Sequence, residues 1–117
     1  MSADQIAAIR PAILETIEGV PDTCATLEIE GDADRWVQFT DYTINAAYPY
    51  STDPKERVKN LPPISGMKLV SWETQKFATF EIPPSDAGVV ARWIDEYFVS
   101  VLGCSADYDI DVTLEQL

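Results

Sequence analysis

Histidine is absent from these 117 residues, and cations are scarce, with 8 Lys and Arg against 20 Asp and Glu and a formal charge of -12 at pH 7. Without the side chain whose ordinary pKa lies nearest neutrality, Ser-His-Asp and Cys-His nucleophile activation and imidazole-ligated metals are excluded. Glycine is sparse as well: the 5 residues form neither GxGxxG nor GxxxxGK, so the phosphate-cradling loops of nucleotide enzymes are missing. Cys24 and Cys104 are the 2 cysteines, and their spacing fits neither a CxxC redox pair nor a zinc site. Two reduced, half-buried thiols of a cytosolic domain are expected instead. No stretch approaches the roughly 18 uninterrupted apolar residues of a bilayer helix. Met1 to Gly19 lacks the charged-then-apolar block and cleavage site of a signal peptide. Without histidine no neighbouring base activates Ser51, Thr52 or Ser65, which leaves only rarer lysine-dependent schemes. These absences place the chain in the bacterial cytoplasm, away from membranes, and assign it no catalytic residue, no metal ligand and no cofactor.

Apolar residues are plentiful. At 46% hydrophobic, with 3 Trp, 5 Tyr and 4 Phe, residues 1–117 suffice for one domain with a single core. The acidic surface repels phosphate backbones, and no Lys/Arg stripe interleaved with aromatics offsets it, so nucleic acid is not an expected partner. A basic protein or peptide is, although excess charge also serves solubility alone.

Along the chain, Ser2 and Gln5 form a capping-box pattern, and Ile6, Ile9, Ile13 and Ile17 follow at helical spacing up to Gly19. Pro11 lies inside this helix and is expected to kink or divide it. Ala25 to Glu30, Trp36 to Thr40 and Thr43 to Tyr48 read as three short strands in an antiparallel meander. Asp53-Pro54-Lys55-Glu56 predicts a helix from Pro54 to Leu61, whose Lys55, Arg57 and Lys59 are the locally positive segment. Lys68 to Glu73 and Phe77 to Ile82 read as a hairpin. Ser85 is expected to cap a long helix with Val90, Trp93, Ile94, Tyr97, Phe98 and Val101 on one stripe, closed by Gly103. Tyr108, Ile110, Val112 and Leu114 alternate with polar residues, as in a final strand or extended arm. The fold class is therefore α+β: an antiparallel sheet of about five to six strands, packed by an N-terminal helix and a long C-terminal helix, in the order αβββαββα(β).

Three constellations stand out. Asp107, Asp109 and Asp111 resemble the opening of a calcium loop, but the central glycine and twelfth-position glutamate of such a loop do not follow, and a solvated strand face is the expected role. Glu28, Glu30, Asp32 and Asp34 form a second acidic group on the outer side of the first strand and its turn; lacking burial, they suit contact with a basic peptide better than acid-base work. Trp36 falls opposite Val37 and Phe39 in the alternation and shares its side with Gln38 and Thr40, so an exposed indole is expected there.

The segment Arg35-Trp36-Val37-Gln38-Phe39, a hairpin, Asn45-Ala46-Ala47-Tyr48, a short helix, and Leu69-Val70-Ser71-Trp72 before an edge strand and a long helix resembles the type III secretion chaperone and YbjN-like superfamily over residues 26–103. Ser71 stands where that pattern has glycine. The resemblance implies a helix-packed antiparallel sheet, often a homodimer, that binds an extended peptide or another protein and performs no chemistry. The leading expectation is thus a non-enzymatic, chaperone-like binding module using Trp36, Gln38, Thr40, Glu28, Glu30, Asp32 and Asp34. Two rivals are an acidic immunity or inhibitor protein that neutralises a basic toxin or nuclease, and a small-ligand binder or enzyme built on a buried carboxylate.

Overall fold

The computed structural model describes residues 3–116. Helix α1 (Ala3–Glu18) leads into strands β1 (Thr23–Ile29), β2 (Asp32–Thr40) and β3 (Thr43–Ala47), then the short helix α2 (Pro54–Val58) and the hairpin β4 (Lys68–Glu73) and β5 (Phe77–Glu81). Helix α3 (Ala87–Glu96) continues into a π turn over Tyr97–Val101, and β6 (Ile110–Gln116) closes the order. The strands form one antiparallel 6-stranded sheet, β4-β5-β3-β2-β1-β6. This is the α+β architecture that the periodicities predict.

Alternation decides which side is core. Ala25 and Leu27 of β1, Val37 and Phe39 of β2, Ile44 and Ala46 of β3, and Ala78 and Phe80 of β5 share one buried face. Against it lie Ile9 and Ile13 of α1 and Val90, Trp93 and Ile94 of α3. Each large side chain removed from water contributes about 1.5–3 kcal/mol, so this face is what holds helix to sheet. Trp93 stacks on Tyr97 with ring centroids 5.3 Å apart and meets Phe80 edge-on at 5.2 Å. The opposite face is only half-buried and carries the polar register row Thr26, Gln38, Asn45 and Thr79.

Several local expectations are corrected. Pro11 does not divide α1: the helix runs through it, and Ala7, whose carbonyl loses its donor there, is exposed to water. The proposed capping box falls partly on Ser2, outside the described residues, while Gln5 Nε2 donates instead to the Tyr108 carbonyl at 2.9 Å. Asp53 caps α2 as expected, accepting from Lys55 N at 2.9 Å, but the helix ends at Val58 rather than Leu61. Leu61 N donates to Val58 O at 3.0 Å in a closing turn, and Pro62 keeps Leu61 itself out of the helical region. The cap of α3 is Asp86, whose carboxylate accepts from Gly88 N at 2.9 Å, whereas Ser85 Oγ turns back to the Pro83 carbonyl. The long C-terminal helix is not α-helical throughout: Leu102 N donates to Tyr97 O, five residues back, at 3.0 Å, and Gly103 at φ +73° ends it.

Candidate binding surface

Pairing of β6 with β1 joins what the sequence keeps some eighty residues apart. Glu28 stands directly opposite Asp111 on one side and opposite Trp36 on the other, and Glu30 N donates to Asp109 O at 3.0 Å. The two acidic runs are thus one corner of the sheet. Among the described residues, no three Asp, Glu or Cys side chains converge as a metal site would require.

That single hydrogen bond also fixes the phase of the edge. In an antiparallel ladder, bonded and non-bonded pairs alternate, so Asp111, Thr113 and Glu115 exchange bonds with β1. The backbone N–H and C=O groups of Ile110, Val112, Leu114 and Gln116 are left pointing outward. On the helix side of the same strand, Val112 and Leu114 remain 40% and 45% exposed, because β6 lies at the margin of the helix layer. The edge therefore offers a complete recognition strip: free backbone groups, an apolar row on one face and a carboxylate row on the other.

The predicted site residues separate into two sets. Glu28 is half-buried and Glu30 exposed, both at the acidic corner. Asp34 is exposed, but Asp32 is already engaged: it accepts from Asp34 N at 3.1 Å and pairs with Arg35 Nε at 3.4 Å. Trp36 is half-buried, which corrects the expectation of an exposed indole. Gln38 donates to Thr26 Oγ1 at 3.4 Å and Thr40 Oγ1 to the Thr23 carbonyl at 3.0 Å, so the polar face is largely bonded to itself. Alternation alone reads Val112 and Leu114 as core, and nothing local in the sequence states that their strand is an edge.

One buried carboxylate does exist. Asp95, 1% exposed on α3, accepts a hydrogen bond from Tyr108 Oη at 2.9 Å and borders a small cavity with Ile6 and Arg92. Burial first, and then the hydrogen bond to Asp95, push the Tyr108 hydroxyl well above the ordinary tyrosine range. The pair fastens the segment preceding β6 to α3. Both thiols are unpaired and buried; burial raises each, and the Arg35 guanidinium, 3.8 Å from Cys104 Sγ, partly offsets the rise at Cys104.

Among the described residues, no helix is long and apolar enough to cross a membrane. Set against protein-family models, curated proteins and solved structures, the chain matches none of them.

Proposed function

We propose that this chain is a non-enzymatic, chaperone-like module of the bacterial cytoplasm that binds an extended basic segment of another protein along the β6 edge. The observation that carries the reading is the uncapped β6 strip, with Val112 and Leu114 on one face and Asp111 and Glu115 on the other. Strand addition draws affinity from main-chain hydrogen bonds and specificity from alternate side chains. Unpaired thiols suit a reducing compartment.

Charge selects the partner. A second copy pairing over the whole strand would centre on Thr113 and set Asp111 against Glu115 twice, and like charges directly opposed are destabilising by roughly 0.2–1 kcal/mol each. A strand with Lys or Arg at those two positions and apolar residues opposite Val112 and Leu114 turns both repulsions into attractions. Glu28, beside Asp111, extends the same field inward.

Titrating isotope-labelled protein with a peptide containing Lys-Val-Thr-Val-Lys, and separately with its Glu-Val-Thr-Val-Glu counterpart, tests this. The basic peptide is expected to shift the amides of residues 110–116 saturably, more strongly at low salt. Equal response to both peptides, or none along β6, would remove the proposal.

A further inference from the structure

At the opposite end of the sheet, the helix layer runs out before it reaches β4. The gap is covered only by α2 and the proline-containing segment behind it, and it leaves an open groove of about 560 Å³. That volume lies within the range of small-molecule sites. About half of its lining is apolar: Val58, Met67 and Leu69 are half-buried there, and Phe80 and Trp93 form the floor where the groove meets the core.

The rim is cationic. Lys55, Lys59 and Lys68 all line the groove, three of the chain's 8 basic residues gathered at one concavity of a protein with charge -12. Lys55 and Val58 of α2 and Lys59 at its C-cap, still in helical conformation, fall at i, i+3 and i+4 on one face, so two ammonium groups flank an apolar contact. Lys59 pairs with Glu56 at 3.2 Å, but both side chains are more than half exposed, and such a pair holds its partners weakly. Lys68 stands opposite Glu81 in the hairpin register, yet neither it nor Lys55 has an ion-pair partner among the described residues.

We infer that this groove binds a small amphipathic anion, a free carboxylic acid with a single apolar chain, its carboxylate held by Lys55 and Lys59 and its chain laid against Val58, Met67 and Leu69. The acidic corner does not cancel the attraction. β4 and β6 are separated by five strand spacings, about 24 Å, while charges in physiological salt are screened over about 8 Å. A cationic ligand would meet the lysines, and a neutral one would leave them unused.

Calorimetry with decanoate, decanol and decyltrimethylammonium, each below its micelle-forming concentration, tests the inference on the full chain, with amide shifts to locate the site. Decanoate is expected to bind at one site, shifting Val58, Met67 and Leu69, with decanol about tenfold weaker and the cation weaker still. Combined Lys55→Glu and Lys59→Glu, both at exposed positions, should weaken decanoate about tenfold and leave decanol unchanged. Lys76→Glu, the same kind of substitution on the distant hairpin turn with half the charge change, should alter neither. Decanol binding as tightly as decanoate, shifts confined to other residues, or no saturable heat with decanoate would overturn it.

Discussion

The two edges of the sheet solve one problem in opposite ways. An edge strand exposes backbone groups that invite another chain, and proteins blunt such edges with bulges, lysines and covering segments. β4 has all three: its pairing with β5 shifts register between Leu69 and Ser71, leaving Val70 as a bulge, Lys68 begins it, and α2 packs beside it. β6 has neither bulge nor lysine, with α1 touching it on one face alone, and pairs with β1 through seven residues without a shift, from Thr23↔Gln116 to Ile29↔Ile110. On the proposed reading, what guards β6 is the sign of its charge, which disfavours a second copy and favours a basic strand. The β4 end, closed to strands, keeps a groove.

The largest effect expected on this comparison is loss of the whole fold in alkali, because the centre of the sheet and its β6 end both hang on buried tyrosines. Tyr97 Oη donates to the Ala47 carbonyl at 2.7 Å at the centre of the sheet, and Tyr108 Oη to Asp95 before β6. Burial is the main cause that raises both hydroxyls above the ordinary value near 10. The native state thus keeps protons that the unfolded chain releases, so the stability these groups supply is fully present below about pH 10 and falls as pH climbs beyond it. Tyrosinate absorbance and far-ultraviolet circular dichroism, followed together, should show the ionisation of Tyr97 and Tyr108 arriving only as the dichroism collapses. Five tyrosines titrating alike in a chain that stays folded would show that the anchors are not closed to water.

A proline scan sharpens the comparison along β6 itself. Thr113 exchanges bonds with β1, so Thr113→Pro loses a ladder bond and strands its partner, at about 2–3 kcal/mol. Val112 sends its N–H outward, where proline is tolerated on an edge, so Val112→Pro should cost about 1 kcal/mol or less. Urea unfolding measures both. Peptide binding should be lost in Val112→Pro even though that variant is the more stable of the two. The reverse order of stability would show that the ladder has the other phase.

How far the sequence carries this picture differs between the ends for a physical reason. Local pattern is enough for the strands and helices: the alternation of Ala25, Leu27 and Ile29 and the stripe through Val90, Trp93 and Ile94 belong to single segments. Helix ends are less legible, since Asp86 and Ser85 are equally good caps and only the entering backbone chooses between them. Pairing across long separations is not legible at all. Asp107 to Asp111 and Glu28 to Asp34 are both conspicuous, but no local signal places Asp111 opposite Glu28 or makes β6 an edge. Asp95 is hidden likewise, a carboxylate in an apolar stripe whose bond from Tyr108 no local pattern announces. The lysines of α2 were visible as a positive segment; that they rim a groove with Lys68 depends on how the proline segment returns to β4.

Charge at the acidic corner gives a smaller effect, with stability and binding moving in opposite directions. Glu28 and Asp111 are like charges on directly opposed residues, so Glu28→Gln should stabilise the fold by roughly 0.2–1 kcal/mol in low salt and less in high salt. The same substitution should weaken the basic peptide. A thermal melt and the peptide titration on one preparation check both, and a variant that loses stability would mean that Glu28 makes a compensating contact.

The smallest change is expected at the other end. Glu56→Gln removes the partner of Lys59, but both side chains lie in water, where an exposed pair contributes on the order of 0.5 kcal/mol or less. Urea unfolding should therefore barely move. Decanoate affinity should rise slightly, because the ammonium no longer divides its attraction between a fixed carboxylate and an arriving one. An unchanged affinity together with a clear loss of stability would assign Lys59 to holding α2 in place, and leave Lys55 as the principal cation of the groove.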